Sequence, residues 1–254
     1  MLKKLLAFLL IVGLSSLTLA QEIVVVGDQF DRLYEVDGNG NASGLSVDIL
    51  SAMSKKTGDT FAYHFYPWPR ALALVEHGKA DVIAGIYKSP EREAHFLFGD
   101  YPYYQDQIKL YALADRSFSW NGDLMSLKDK RIGVVRSWYH GAKFEKVQEN
   151  LRLSTSDNLA NGIRLLKQGF IDLLLANDLV MQHYLLTDNT GPAIVAIEPA
   201  VDIELGYFAF RKDKVGAELR DKYNDALKEM IENGALAKLA HARKLQAPIT
   251  TQPK

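Results

Sequence analysis

Apolar and polar positions along this chain switch between a period of two and a helical period. Residues 22–28, EIVVVGD, form a β-branched run closed by a turn signal and predict a buried strand. Residues 36–44, VDGNGNASG, read as a hairpin or loop. In LSVDILSAMSKKTG, residues 45–58, apolar positions recur at helical spacing and a glycine ends the run, predicting a helix with a glycine C-cap. FAYHFYP, residues 61–67, alternates as a strand does, and RALALVEHGKADVIAG, residues 70–85, gives a helix, a glycine stop and a strand. Strand and helix in alternation predict a parallel α/β sheet.

The pattern then repeats. ALVEHGKADVIAG (73–85) aligns with RLLKQGFIDLLLAN (164–177), each an apolar helix end, a polar pair, a glycine, two residues, an aspartate and an apolar strand. Gly78 falls on Gly169 and Asp81 on Asp172. A second strand-turn-helix unit, KRIGVVRSWYHGAKFEKVQENL (130–151), accompanies it. The expected organisation is therefore two α/β lobes, the first over 21–112 and the second over 113–204. Residues 205–254 return to the first lobe with an alternating strand, IELGYFAFRKD (203–213), and two helices too small to form a third domain. Two crossings between lobes make a hinge.

Composition sharpens this picture at the start of the chain. MLKKLLAFLLIVGLSSLTLAQ has a basic start at Lys3 and Lys4, a short apolar run, and small residues at Thr18 and Ala20. This is the pattern of a cleaved secretory signal over residues 1–20, too short and interrupted for a membrane span. The chain has no cysteine, so no disulfide or cysteine-linked lipid is expected, and a bacterial periplasm suits it best. Without Lys3 and Lys4, the 30 basic residues become 28 against 31 acidic ones. No charge run stands out, which argues against nucleic acid or an anionic membrane surface as partner.

Ligands of open α/β sheets bind beyond the carboxyl ends of the strands. Three such ends are expected to line one cleft: Gly85 with the turn that follows, Asn177-Asp178, and Ser137-Trp138-Tyr139. Arg92 sits on the first of these, in KSPER. It either pairs with Glu91, Glu93 or Asp100 on the surface or offers a planar fork to a carboxylate. Trp68, between two prolines at a strand's end, is the favoured aromatic candidate. Ser137, Trp138 and Tyr139 are expected just before a helix, whose free N–H groups favour an anion. None of the six histidines is paired at metal-ligand spacing, and no phosphate loop or nucleophile elbow is present. Residues 37–48 place oxygen ligands at calcium-loop spacing, but Ala42 stands where glycine is needed, so a polar hairpin is the better reading. No cofactor is expected.

These segments together resemble the extracytoplasmic solute-binding proteins of family 3, the polar amino-acid type of the ABC importers. GKADVIAGIYKSPEREAHFLFGDYPYY (78–104) is similar to the family's G-x-x-D, T-P-E-R and P-Y-Y segments, and SGLSVDILSAMSKKTG (43–58) and LKDKRIGVVRSWY (127–139) resemble two others. The resemblance implies a type II periplasmic-binding-protein fold and a monomer that closes on a small carboxylate-bearing solute. Its partner would be a membrane permease or a sensory receptor, and it would perform no chemistry. It also implies roles by position: Arg92 on the ligand's carboxylate, Phe30 and Trp68 as sandwiching rings, Gly85 and Tyr87 as backbone and hydroxyl contacts, Trp138 and Tyr139 closing from the second lobe. The family's ammonium-binding aspartate falls on Asn177, with Asp178 one residue late, which argues against a standard α-amino acid. An enzyme on the same fold, similar to cyclohexadienyl dehydratase, is the alternative, with Asp178 or Glu204 as candidate acids.

The signal reading has a direct check. Mass spectrometry of the mature protein is expected to find the N-terminus at Gln21; intact Met1 in the membrane fraction would contradict it.

Overall fold

The computed structural model describes residues 22–116, 118–187 and 191–248; the signal expected over residues 1–20 lies outside them. From the N-terminus the elements are β1 (Glu22–Gly27), β2 (Glu35–Val36), β3 (Ala42–Ser43), α1 (Leu45–Thr57), β4 (Thr60–Phe65), α2 (Trp68–Glu76), β5 (Val82–Tyr87), α3 (Pro90–His95) and β6 (Phe96–Phe98). The chain continues with β7 (Tyr104–Leu113), β8 (Arg131–Val135), α4 (Ala142–Glu145), β9 (Arg152–Ser156), α5 (Leu159–Lys167), β10 (Leu173–Asn177) and α6 (Asp178–Thr187). It closes with β11 (Ile194–Arg211), α7 (Lys214–Glu232) and α8 (Ala235–Ala242).

The main strands run in the order β4-β1-β5-β11-β7-β10-β8-β9, with β6 pairing β11. β4, β1 and β5 are parallel, and so are β10, β8 and β9, giving two lobes of the same plan. The antiparallel pair β7–β11 joins them. One end of β11 pairs with β5 through Gly206–Phe210, and the other pairs with β7 through Ile194–Ile197. β7 in turn pairs with β10 through Ile108–Tyr111. The expected lobe boundaries at 112 and 204 thus fall inside continuous strands rather than in loops. The apolar core is equally continuous, from Ile23 and Val25 through Val82 and Ala84 to Leu110, Leu173 and Leu175.

The repeated glycine-aspartate device has a physical purpose. Gly78 and Gly169, at φ 65° and 73°, turn the chain out of α2 and α5 in the left-handed region that glycine tolerates. Three residues on, Asp81 Oδ2 accepts the N–H of Val24 in β1 at 2.9 Å, and Asp172 Oδ2 accepts that of Arg131 in β8 at 2.9 Å. Each aspartate also meets an arginine: Arg211 Nη1 lies 3.2 Å from Asp81 and Arg131 Nη2 2.6 Å from Asp172. The Arg131 hydrogen bonds hold the Asp172 carboxyl down to about 2. α7 and α8 pack on the first lobe, where Arg243 grips Asp48 at 2.7 Å and Tyr223 Oη donates to Asp59 at 2.9 Å.

Two expectations change. The helix after Tyr139 starts only at Ala142 and is four residues long, because Ser137 at φ 62° and Gly141 at φ 94° turn the intervening chain. The final strand begins at Ile194 instead of 203, interrupted by a register shift between Ile197 and Asp202. Pro199 lies in that interruption, where it has no ladder hydrogen bond to donate, and its carbonyl accepts Trp120 Nε1 at 2.6 Å.

Candidate functional site

The site begins with a defect in β5. Opposite it, Tyr207 faces Ile86 and Phe208 faces Ala84, so Gly85 is left over as a bulge. Gly85 has φ 80°, and a Cβ there would meet Leu33 Cδ2 at 3.2 Å. Freed from the ladder, its carbonyl accepts the Tyr104 hydroxyl at 2.9 Å. Gly206 makes room for that tyrosine: a Cβ on it would sit 1.7 Å from the Tyr104 ring.

Beyond Tyr87 the chain enters α3. Ser89 Oγ accepts the Arg92 N–H at 3.2 Å, and Pro90 fills the first helical position, where no N–H is needed. This turn carries the Arg92 guanidinium back over the strand end. Nη1 donates to Tyr87 O at 2.9 Å, and Nη2 crosses to Ser137 O of the second lobe at 3.1 Å. The guanidinium carbon lies 5.6 Å from the Trp68 ring and 5.8 Å from the Tyr139 ring. Burial presses the pKa of Arg92 down. None of Glu91, Glu93 or Asp100 forms an ion pair with it, so it is not a surface pair.

Aromatic walls enclose this point. Phe30 stands 5.9 Å from Trp68 and 6.4 Å from Trp138, centroid to centroid, so rings from both lobes meet. The Trp68 N–H donates to Asp28 Oδ2 at 3.1 Å, fixing the start of α2. On the opposite side a polar chain runs inward. Asn177 Nδ2 donates to Tyr87 Oη at 2.6 Å, and the Tyr87 hydroxyl donates to Asp106 Oδ2 at 2.9 Å. Asp106 Oδ1 accepts the N–H groups of Gln107 at 2.7 Å and Leu179 at 3.1 Å. Burial pushes the Asp106 carboxyl up to about 6 and the Tyr87 phenol upward as well.

Phe30, Trp68, Gly85, Tyr87, Arg92, Trp138, Tyr139 and Asn177 line one cavity of about 30 Å³, room for a water or two. The three strand ends therefore meet. Arg92, Trp138 and Tyr139 also line a wider groove of about 700 Å³ outside it, between α2–α3 and the chain after β8. His140 lies along that groove with a buried Nε2 that has no hydrogen-bond partner among the described residues, and burial presses its ring down to about 4, so it is neutral near pH 7.

Asp178 does not join the cavity. As the first residue of α6 it turns to Tyr111, whose hydroxyl donates at 2.6 Å, and to Lys109 at 3.6 Å. Residues 137–139 present no helix N-terminus either, since α4 starts later and is too short. Glu204, cross-strand partner of Asp106, is pushed up to about 7 by burial and by Asp202, but it does not line the cavity. Tyr104, Asp106, Leu33, Leu179 and Val180 line the cavity without having been singled out as ligand contacts. A signal for Asp106 was present: in YQDQIKLYAL the alternation puts it on the inward face with Tyr104, Ile108 and Leu110, a charge at a core position.

The model of the bacterial extracellular solute-binding proteins, family 3, matches residues 23–242. The chain belongs to this family. Among its relatives is the arginine-binding extracellular protein ArtP of Bacillus subtilis, 25% identical over 220 residues that span 85% of this chain and 84% of ArtP. An ancestral arginine-binding protein bound to arginine superposes with a TM-score of 0.71 at 25% identity, covering 87% of this chain and 97% of that one. A histidine kinase sensor domain similar to periplasmic binding proteins superposes with a TM-score of 0.76 at 21% identity, over 90% and 98% of the two chains. The family's two-lobed architecture is the one described above.

The cavity depends on the Gly206 clearance. Gly206→Ala is expected to drive the Tyr104 ring off Gly85 O, costing about 1–3 kcal/mol and lowering the melting temperature. Gly38→Ala, where nothing lies within 4 Å, serves as the neutral control. Equal melting temperatures for the two variants would contradict the packing described.

Proposed function

We infer that this family member carries a small carboxylate-bearing solute, holding the carboxylate on Arg92 between the rings of Phe30, Trp68, Trp138 and Tyr139. One observation supports the reading most: the guanidinium is fixed where strand ends of both lobes converge, yet among the described residues no carboxylate comes within 4.0 Å of it. Its hydrogen bonds go to two backbone carbonyls, one on each lobe. An arginine fork pairs best with a planar anion that accepts two parallel bonds. A solute carboxylate takes up that capacity and links the lobes through itself.

The cavity is too small to admit a solute as it stands, so the lobes part and reclose about the β7–β11 pair, the natural division between 21–112, 113–204 and the returning 205–254. The wider groove outside Arg92 is the way in. The solute-loaded, closed form is the shape delivered to an ABC-type permease from the periplasm, by a monomer released from its signal at Ala20. Binding without chemistry fits the side chains better than dehydration does. Asp178 is committed to Tyr111 and Lys109, and Glu204 stands off the cavity.

Arg92→Lys keeps the charge and removes the fork. It is expected to weaken solute binding on the order of a hundredfold by calorimetry, with the fold retained in circular dichroism. Unchanged affinity would show that the carboxylate is held elsewhere.

A further inference from the structure

We propose that Asp106 is the residue that selects the solute, by receiving a cationic group on the same molecule whose carboxylate Arg92 holds. The inference rests on the Arg92 reading and adds the opposite pole of the ligand.

Asp106 is 7% exposed and lines the cavity. Among the described residues no Lys, Arg or His nitrogen lies within 4.0 Å of its carboxylate. A buried carboxylate without a cation is costly, and buried charges are ordinarily paired. Lys109, the nearest lysine along β7, is committed to Glu198 at 2.8 Å and Asp178 at 3.6 Å. A carboxylate offers about four acceptor positions. Three are used, by Tyr87 Oη, Leu179 N and Gln107 N, which leaves one on Oδ2. The same cavity therefore carries one unpaired cation, Arg92, and one unpaired anion, Asp106. Tyr87 spans them, its carbonyl on Arg92 and its hydroxyl on Asp106. That pair of charges is complementary to a zwitterion.

The arrangement also accounts for the neutral Asn177. Its Nδ2 is spent on Tyr87 Oη, which holds the phenol so that its proton points to Asp106. The anion of this cavity stands on the hinge strand β7, while the end of β10 contributes a neutral amide. A reading of position 177 alone argues against an amino acid; Asp106 supplies the charge that position lacks. The aromatic rings beside it suit a bare or alkylated ammonium equally.

The test titrates wild type, Asp106→Asn and Asp178→Asn with two probe sets by calorimetry: the twenty standard amino acids with glycine betaine, and the N-acetylated amino acids, which keep the carboxylate and lose the cation. Wild type is expected to bind a member of the first set and to reject its acetylated counterpart. Asp106→Asn is expected to lose that affinity on the order of a hundredfold, while Asp178→Asn matches wild type. Without solute, Asp106→Asn is expected to melt at or above the wild-type temperature, because it removes an unpaired buried charge; a purely structural aspartate would lower it. Asp106→Glu, which keeps the charge, covers the case of an Asn variant that does not fold, and is expected to retain part of the preference for the cationic probe. Binding of acetylated carboxylates by wild type as tightly as free ones would leave the Arg92 grip standing and overturn the role of Asp106. So would full affinity in Asp106→Asn. Binding of neither probe set would overturn both.

Discussion

A guanidinium with no carboxylate within 4.0 Å among the described residues organises this molecule. Arg92 donates to Tyr87 O on its own lobe and to Ser137 O on the other, and rings of both lobes flank it. Two carbonyls take two of the guanidinium's five N–H donors and leave its charge unmatched. The single bond to Ser137 O, a neutral acceptor, bridges the lobes through the Arg92 guanidinium. Much of the local structure serves to keep that group in place: the Ser89 cap and Pro90 that start α3, the bulge that frees Gly85, and the Gly206 gap that admits Tyr104.

The hinge contributes the other pole. β7 and β11 are the strands that tie the half-sheets together, and Asp106 and Glu204 face each other across them. A buried carboxylate, Asp106, and a half-buried one, Glu204, on the strands that join the lobes couple charge to geometry. When the lobes part, these groups regain water; when they close, the carboxylates need a partner or a proton. Burial raises both, Asp106 to about 6 and Glu204 to about 7. Closing over a solute that brings its own cation relieves this cost for Asp106, which lines the cavity, and leaves Glu204 to be met by solvent and by Lys143 nearby.

Strand-helix alternation and the Gly78/Asp81–Gly169/Asp172 repeat were legible because local chemistry dictates them: a glycine stops each helix and an aspartate accepts a strand N–H. The convergence of Gly85, Arg92, Trp138 and Asn177 followed from where parallel strands end. What escaped was set by contacts distant in sequence. The full extent of β11 was hidden by Pro199, which breaks the alternation while the strand resumes beyond it. The helix expected after Tyr139 depended on Ser137 and Gly141 following ordinary helical entry, and their positive φ values prevent it. Asp178 looked like a displaced ligand contact because one residue along a strand end reverses the facing side, and here a helix starts at that residue. Asp106 was missed because YQDQIKLYAL, which alternates as a strand does, was not read as one, so the charge on its inward face went unnoticed.

On the proposed function, a solute carboxylate takes the place of the Ser137 carbonyl on Arg92. A crystal structure of the protein with its bound solute tests it most directly. Both Arg92 Nη atoms are expected on the solute carboxylate, with the Ser137 O bond broken and the solute between the Phe30 and Trp138 rings. A solute bound elsewhere, with Arg92 still on Tyr87 O and Ser137 O, would contradict it.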